Sequence, residues 1–159
     1  MPVVTYIILG ILLIIFMSEL NMYSTGIDIF DYYLRTGYHV DMSHLLANGL
    51  SLIFLSPMES ILGWQKFLFA ILFIWLLSTL LLFLFHKIFP QRKSVTVGFS
   101  GVIFGLMVIY LSLLNKDQML SIIALIMSII PQFFVRGISF EGHLSGIIAG
   151  FIFIKTFNI

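Results

Sequence analysis

Apolar residues run along this chain in six long stretches, over residues 3–20, 44–62, 67–85, 95–114, 119–134 and 139–154, and charged residues sit almost entirely between them. Wound as α-helices at about 1.5 Å per residue, stretches of this length cross the roughly 30 Å hydrocarbon layer of a bilayer, the shortest of them only just. The pattern predicts an all-α membrane protein, a bundle of six transmembrane helices forming one domain. The third stretch is almost unbroken Leu, Ile and Phe and is expected to be a scaffold helix able to face lipid all round. The second carries His44, Asn48, Ser51, Ser56, Pro57 and Glu59, so it should face the bundle interior. Residues 21–43 mix Asp28, Asp31, Arg35 and Asp41 with Tyr23, Phe30, Tyr32, Tyr33 and Tyr38, which suits a loop lying in the membrane interface. A polar connection with Pro90 precedes the fourth stretch, Asn115 to Asp117 form a tight turn, and Pro131 falls near the end of the fifth. The first stretch lacks a basic leader and a clear small-residue cleavage site, so it reads as retained.

Six crossings put both termini on one side, and every even-numbered helix then starts on the other. His44 opens the second helix, while Ser100 and His143 each lie about one turn into the fourth and sixth, so all three share a shallow depth on one side. A hydroxyl or imidazole placed there needs a protein partner, because no water is at hand. Gly101-x-x-x-Gly105 and Gly146-x-x-x-Gly150 have the small-residue spacing that lets membrane helices approach closely. His143, Gly146 and Gly150 project from one helix face, so close packing would carry the imidazole toward its neighbour. A serine is a poor nucleophile without an adjacent base, and His143 is the base that this packing delivers. Glu141 points about 200° away around the helix and no Asp lies within a span, so a Ser-His dyad without a third group is expected. His44 and Asn48 share a face of the second helix and could aim donors at an oxyanion, joined by the backbone N–H at Ser100.

Composition narrows the alternatives. With 60% hydrophobic and 9% charged residues and a mean hydropathy of +1.13, the chain is in the membrane class. Eight basic and seven acidic residues give a net charge of +1, with no basic patch for nucleic acid. Having no cysteine, it offers no disulfide or thiolate chemistry. A metal hydrolase built on His39, His44, His143 and Glu141 is disfavoured because there is no H-E-x-x-H pair and no three ligands share a helix face. A transporter is disfavoured by the lack of an inverted repeat and of a mid-depth charge. Structural readings stand beside the chemical ones. A lone membrane serine usually bonds to its own helix, His44 and Asn48 could merely bridge helices, and His39 is divided between tying down the first loop and lying beside the site. His86 reads as interfacial and solvated, and Glu59 as capping or pairing at the cytoplasmic end.

Gly98-Phe99-Ser100-Gly101 resembles the GxSG of the rhomboid intramembrane serine proteases. His39, His44 and Asn48 are similar to that family's H-x4-H-x3-N, Glu59 and Gly63 to its Glu-x3-Gly pair, and His143-x-x-Gly146-x3-Gly150 to its last-helix motif. Any one of these is weak, but four in order on the expected helices cover about residues 39–154. The resemblance implies a nucleophile at Ser100, a general base at His143 and an oxyanion hole from His44, Asn48 and the Ser100 amide. Gly98, Gly101, Phe104, Gly146, Gly150 and His39 would support them. It also implies a water-filled cavity opening outward, no metal or cofactor, and cleavage of a peptide bond in a transmembrane protein substrate. The protein would be multi-pass in the plasma membrane, its site toward the extracytoplasmic side. A catalytically silent rhomboid-like protein that binds transmembrane helices is the alternative, although that class usually lacks the dyad. Three departures stand out. Leu34-Arg35 is the nearest thing to the family's Trp-Arg pair, Phe104 replaces a tyrosine that often stacks on the histidine, and the absence of an appended domain or seventh helix implies the minimal core. The implied orientation puts Lys66, Lys116 and Lys155 inside but Arg35, Lys87, Arg92, Lys93 and Arg136 outside, against the positive-inside rule.

Overall fold

The computed structural model describes residues 1–92, 96–114, 118–130, 132 and 139–158. Among them there is no strand, and eight α-helices follow in order: α1 Val3–Met17, α2 Asp28–Arg35, α3 Met42–Leu55, α4 Pro57–Leu62, α5 Trp64–Ile88, α6 Ser100–Leu114, α7 Gln118–Ile129 and α8 Phe140–Phe157. The long helix α5, and α3 with α4 taken together over Met42–Leu62, are apolar and long enough to cross a bilayer, while α1 and α6 are shorter apolar helices.

The boundaries differ from the apolar pattern where backbone chemistry intervenes. Helix α1 stops at Met17 because Ser18 is extended, and a short 3-10 turn follows. The second stretch breaks at Ser56, where Pro57 lacks the N–H needed to continue α3 and instead opens α4. Gly98 adopts φ +106, outside helical space, so α6 begins at Ser100. The serine is therefore the first helical residue and not one turn inside. Helix α8 starts where the Ser139 hydroxyl accepts the Gly142 N–H at 3.0 Å and runs to Phe157. The predicted turn at 115–117, Pro131, and the predicted end of the fifth helix at 133–134 lie outside the described residues.

Two further expectations are corrected. Helix α5 does not face lipid all round. Phe67, Ala70, Ile71, Ile74, Ser78 and Leu82 are buried along one stripe, while Phe69, Leu72, Leu76, Leu80 and Leu84 are exposed. Both faces are apolar, so no period in hydropathy betrays which one is core. His86 is not solvated but 3% exposed, its Nδ1 lying 2.7 Å from the Tyr32 hydroxyl. That contact exists because the supposed loop contains α2, which runs back along the second half of α5. Tyr33 donates to the Leu76 carbonyl at 3.3 Å, the Thr36 and Thr79 hydroxyls meet at 3.4 Å, and Asp28 faces Lys87 at 3.8 Å. The start of α2 is anchored by Asp31, whose carboxylate accepts from the Ser24 hydroxyl and from the Thr25 N–H and hydroxyl, holding its pKa down to about 2.

The centre of the fold is the α6–α8 contact. A Cβ on Gly146 or Gly150 would overlap the carbonyl of Gly101 or Gly105, and one on Gly105 would lie 2.8 Å from the Gly146 oxygen. Contacts step from Gly101 to Gly105 as they step from Gly142 to Gly146 and on to Gly150, so the helices run parallel at backbone contact distance. At another corner, Glu59 is 4% exposed and accepts from the Val4 N–H at 2.8 Å and the Thr5 N–H and hydroxyl at 3.1 Å. It caps α1, whose first amides have no partner within their own helix.

Gly146→Ala is expected to cost about 3 kcal/mol through forced separation of α6 and α8, read as a lowered unfolding midpoint in detergent micelles. Glu59→Leu is expected to lower the same midpoint by at least about 2 kcal/mol, with Glu59→Gln losing clearly less because its carbonyl still accepts.

Candidate active site

Because α6 and α8 are parallel and in contact, one sequence offset recurs across them. The Thr96 and Ser139 hydroxyls, 43 positions apart, meet at 3.0 Å, and one turn further on Ser100 Oγ lies 2.9 Å from His143 Nε2, again 43 apart. The imidazole is held on a second side by Phe104, four residues after the serine on the same face of α6. The two rings stack with centroids 4.2 Å apart and planes 24° from parallel. Stacking at this position thus survives the loss of a phenolic hydroxyl.

Helix α3 supplies the opposite wall. Asp41 caps it by accepting the His44 N–H at 2.8 Å, which fixes where the helix starts and so where His44 projects. A Cβ on Gly98 would lie 2.6 Å from His44 Cε1 and 3.4 Å from Asn48 Nδ2. Glycine at 98 therefore serves twice, in its positive φ and in admitting two α3 side chains to the turn before Ser100. Asn48 is 6% exposed and its Nδ2 has no hydrogen-bond partner among the described residues. A buried amide donor left open is costly, and it marks a place where an acceptor would be welcome. The amides opening α6, that of Ser100 included, likewise have no carbonyl one turn back within the helix.

The first loop closes onto this turn through its backbone: the Gly98 N–H donates to the Arg35 carbonyl at 2.9 Å. His39 is 1% exposed; its Nδ1–H donates to the Gly37 carbonyl at 3.1 Å, and its ring meets His44 edge-on at 5.1 Å. Burial first, then the neighbouring His44, lowers its pKa to about 4, so His39 is a neutral brace at physiological pH. A cavity of about 30 Å³ lies beside the serine, lined among others by Tyr32, Thr36, Thr79, Leu82, Thr96 and Gly142. Its size, with several hydroxyl-bearing residues in the wall, suits a water molecule.

The structure thus brings together Ser100, His143, Phe104, His44, Asn48 and Gly98, with His39 one ring behind and Gly101, Gly146 and Gly150 setting the helix spacing. It also adds a residue that sequence reasoning missed. Gln132, in the segment between α7 and α8, places Oε1 2.5 Å from His143 Nδ1. The histidine does have a third partner, and it is not Glu141. Gln132 and His143 are eleven positions apart but not on one helix, so no helical spacing pointed to the contact. A hydroxyl bonded to an imidazole whose far nitrogen is engaged, beside open N–H donors, is an arrangement able to activate an oxygen nucleophile and receive a developing negative charge. Among the described residues no group of three or more His, Cys, Asp or Glu side chains is placed to hold a metal ion.

Comparison with known proteins bears on the family. The rhomboid domain family matches residues 27–158. A protein of Acanthamoeba polyphaga mimivirus that carries the rhomboid name is 55% identical over 159 residues, spanning 100% of this chain and 93% of its own. Rhomboid-like protein 14, mitochondrial, of Arabidopsis thaliana is 30% identical over 141 residues, 77% of this chain but 42% of the plant protein. An uncharacterized protein of Mycobacterium bovis is 27% identical over 129 residues, 72% of this chain and 53% of its own. No solved structure matches the chain. A family match over most of its length and a relative more than half identical from end to end, on an all-helical apolar fold, lead to one conclusion: this chain is a membrane protein of the rhomboid family.

Proposed function

We propose that the chain is an intramembrane serine endopeptidase that hydrolyses a peptide bond in or near the transmembrane segment of a membrane-protein substrate. The observation that carries this reading is the 2.9 Å approach of Ser100 Oγ to His143 Nε2. In the first step Nε2 takes the hydroxyl proton as Oγ bonds to the substrate carbonyl carbon, and the carbonyl electron pair moves onto its oxygen. The open Asn48 amide, the His44 ring and the Ser100 N–H are the donors suited to that oxyanion. As the carbonyl re-forms, the C–N bond breaks and the imidazolium returns its proton to the leaving amine. A water then attacks the ester by the same route, its proton passing through His143, and releases the acid and the serine. The cavity beside Ser100 suits that water's delivery.

In this reading the apolar helices form six spans: α1, α3 with α4, α5, α6, α7 and α8. The interfacial helix α2 and the first loop lie at the level of the site. The N-terminal ends of α3, α6 and α8 carry its residues, so the site lies close to one membrane surface. Following the family resemblance, that surface is extracytoplasmic and the membrane is the plasma membrane.

With a model single-span substrate in detergent or proteoliposomes, Ser100→Ala is expected to reduce cleavage at least about 1,000-fold, and retained cleavage would remove the serine mechanism. A protein that holds the substrate without cutting it in wild-type form would instead be the silent binding relative. Asn48→Ala should lower kcat about 100- to 1,000-fold with KM nearly unchanged, as loss of a donor used only in the transition state requires.

A further inference from the structure

We propose that Gln132 is a positioning residue for the reaction: its side-chain carbonyl accepts the His143 Nδ1–H and so keeps Nε2 free to receive the Ser100 proton. The inference rests on the serine-protease reading above and adds to it a third member that the family motifs do not contain. The imidazole touches three side chains on three sides. Ser100 Oγ is 2.9 Å from Nε2, the Phe104 ring stacks at 4.2 Å on one face, and Gln132 Oε1 is 2.5 Å from Nδ1. A neutral histidine carries one ring proton, and the hydrogen bond made by one nitrogen decides which. With an amide oxygen as acceptor at Nδ1, the proton must sit there, and the lone pair faces the serine. When the Oγ–H bond breaks and that proton joins Nε2, the Nδ1–H bond stays intact and continues to point at Gln132. No second transfer takes place. In a site 9% exposed at the histidine, a charged carboxylate in this position would carry a desolvation cost that a neutral amide avoids.

The placement of Gln132 matters as much as its chemistry. Phe104 and Ser100 belong to α6, which the glycine contacts lock to α8, whereas Gln132 comes from the chain before α8 begins. The ring is therefore oriented by an element independent of the serine's own helix. Among the described residues, α6 contributes Ser100 and Phe104 at the ring, and His44 of α3 stands across the Gly98 turn.

The test compares wild type, Gln132→Leu and Gln132→Glu for single-span substrate cleavage over pH, for fluorophosphonate labelling of Ser100 and for unfolding midpoint. Gln132→Leu keeps the volume without the acceptor and is expected to lose at least about tenfold in kcat and labelling rate, with KM and midpoint little changed. Gln132→Glu keeps an acceptor and should restore turnover. Its added negative charge favours the protonated ring, so the acid limb of kcat should move to higher pH by about one unit. A glutamine that merely packed beside the ring would leave kcat and labelling unchanged in the Leu variant. Wild-type kcat in the Leu variant, or a Glu variant whose pH profile coincides with wild type, would overturn the positioning role while leaving the protease reading in place. Should Gln132→Leu fail to fold, Gln132→Met, which also lacks the acceptor, takes its place in the comparison. A wild-type protein that neither cleaves nor labels would instead sink the protease reading and this inference together.

Discussion

Backbone contact between α6 and α8 is the constraint on which the rest of the structure depends. Apolar side chains give membrane helices little reason to prefer one partner or register, since lipid solvates them as well as protein does. Glycines that cannot gain a Cβ without striking a carbonyl remove that freedom. Once Gly101, Gly105, Gly146 and Gly150 set two parallel helices at backbone distance, the positions flanking them are paired in a single register. Ser100 and His143 fall in that register, as do Thr96 and Ser139 one turn earlier. The geometry of the polar pair is thus a by-product of packing, not something its own hydrogen bond must enforce.

Around that pair, the fold spends local irregularity where polar groups must converge. Gly98 ends the preceding backbone in a conformation that bars helix, which leaves Ser100 and its amide at a helix terminus instead of inside one. The same glycine lets His44 and Asn48 crowd the turn. Arg35 contributes only its carbonyl to this turn, through the Gly98 N–H, which makes the first loop part of the wall even though its side-chain motif departs from the family's usual pair.

Two buried polar groups elsewhere show the partners that a low-dielectric surrounding demands. Glu59 bonds the amides that open α1, and Tyr32 meets His86 where α2 runs along α5. Both contacts join segments more than fifty positions apart, so each ties a peripheral helix to the central group. Asn48 is the contrast. Its Nδ2 is buried and open beside the serine turn, and that difference from the satisfied groups is what gives it chemical interest.

Much of this was legible from the residues alone. Apolar run lengths specify a helical membrane protein, because lipid admits only helices and closed barrels and these runs are too long for barrel strands, and three of the four motifs name residues that end up together. Glycine spacing marks the helix faces that approach. Tertiary structure alone decided what depends on segments distant in sequence. It shows which face of the uniformly apolar α5 is core, that His86 is buried because α2 folds back on it, that Ser100 is a first helical residue, and that Gln132 reaches the histidine. Periodicity reports only which faces differ in polarity. It is silent where both faces are oily and where a partner arrives from a segment whose path no local pattern encodes.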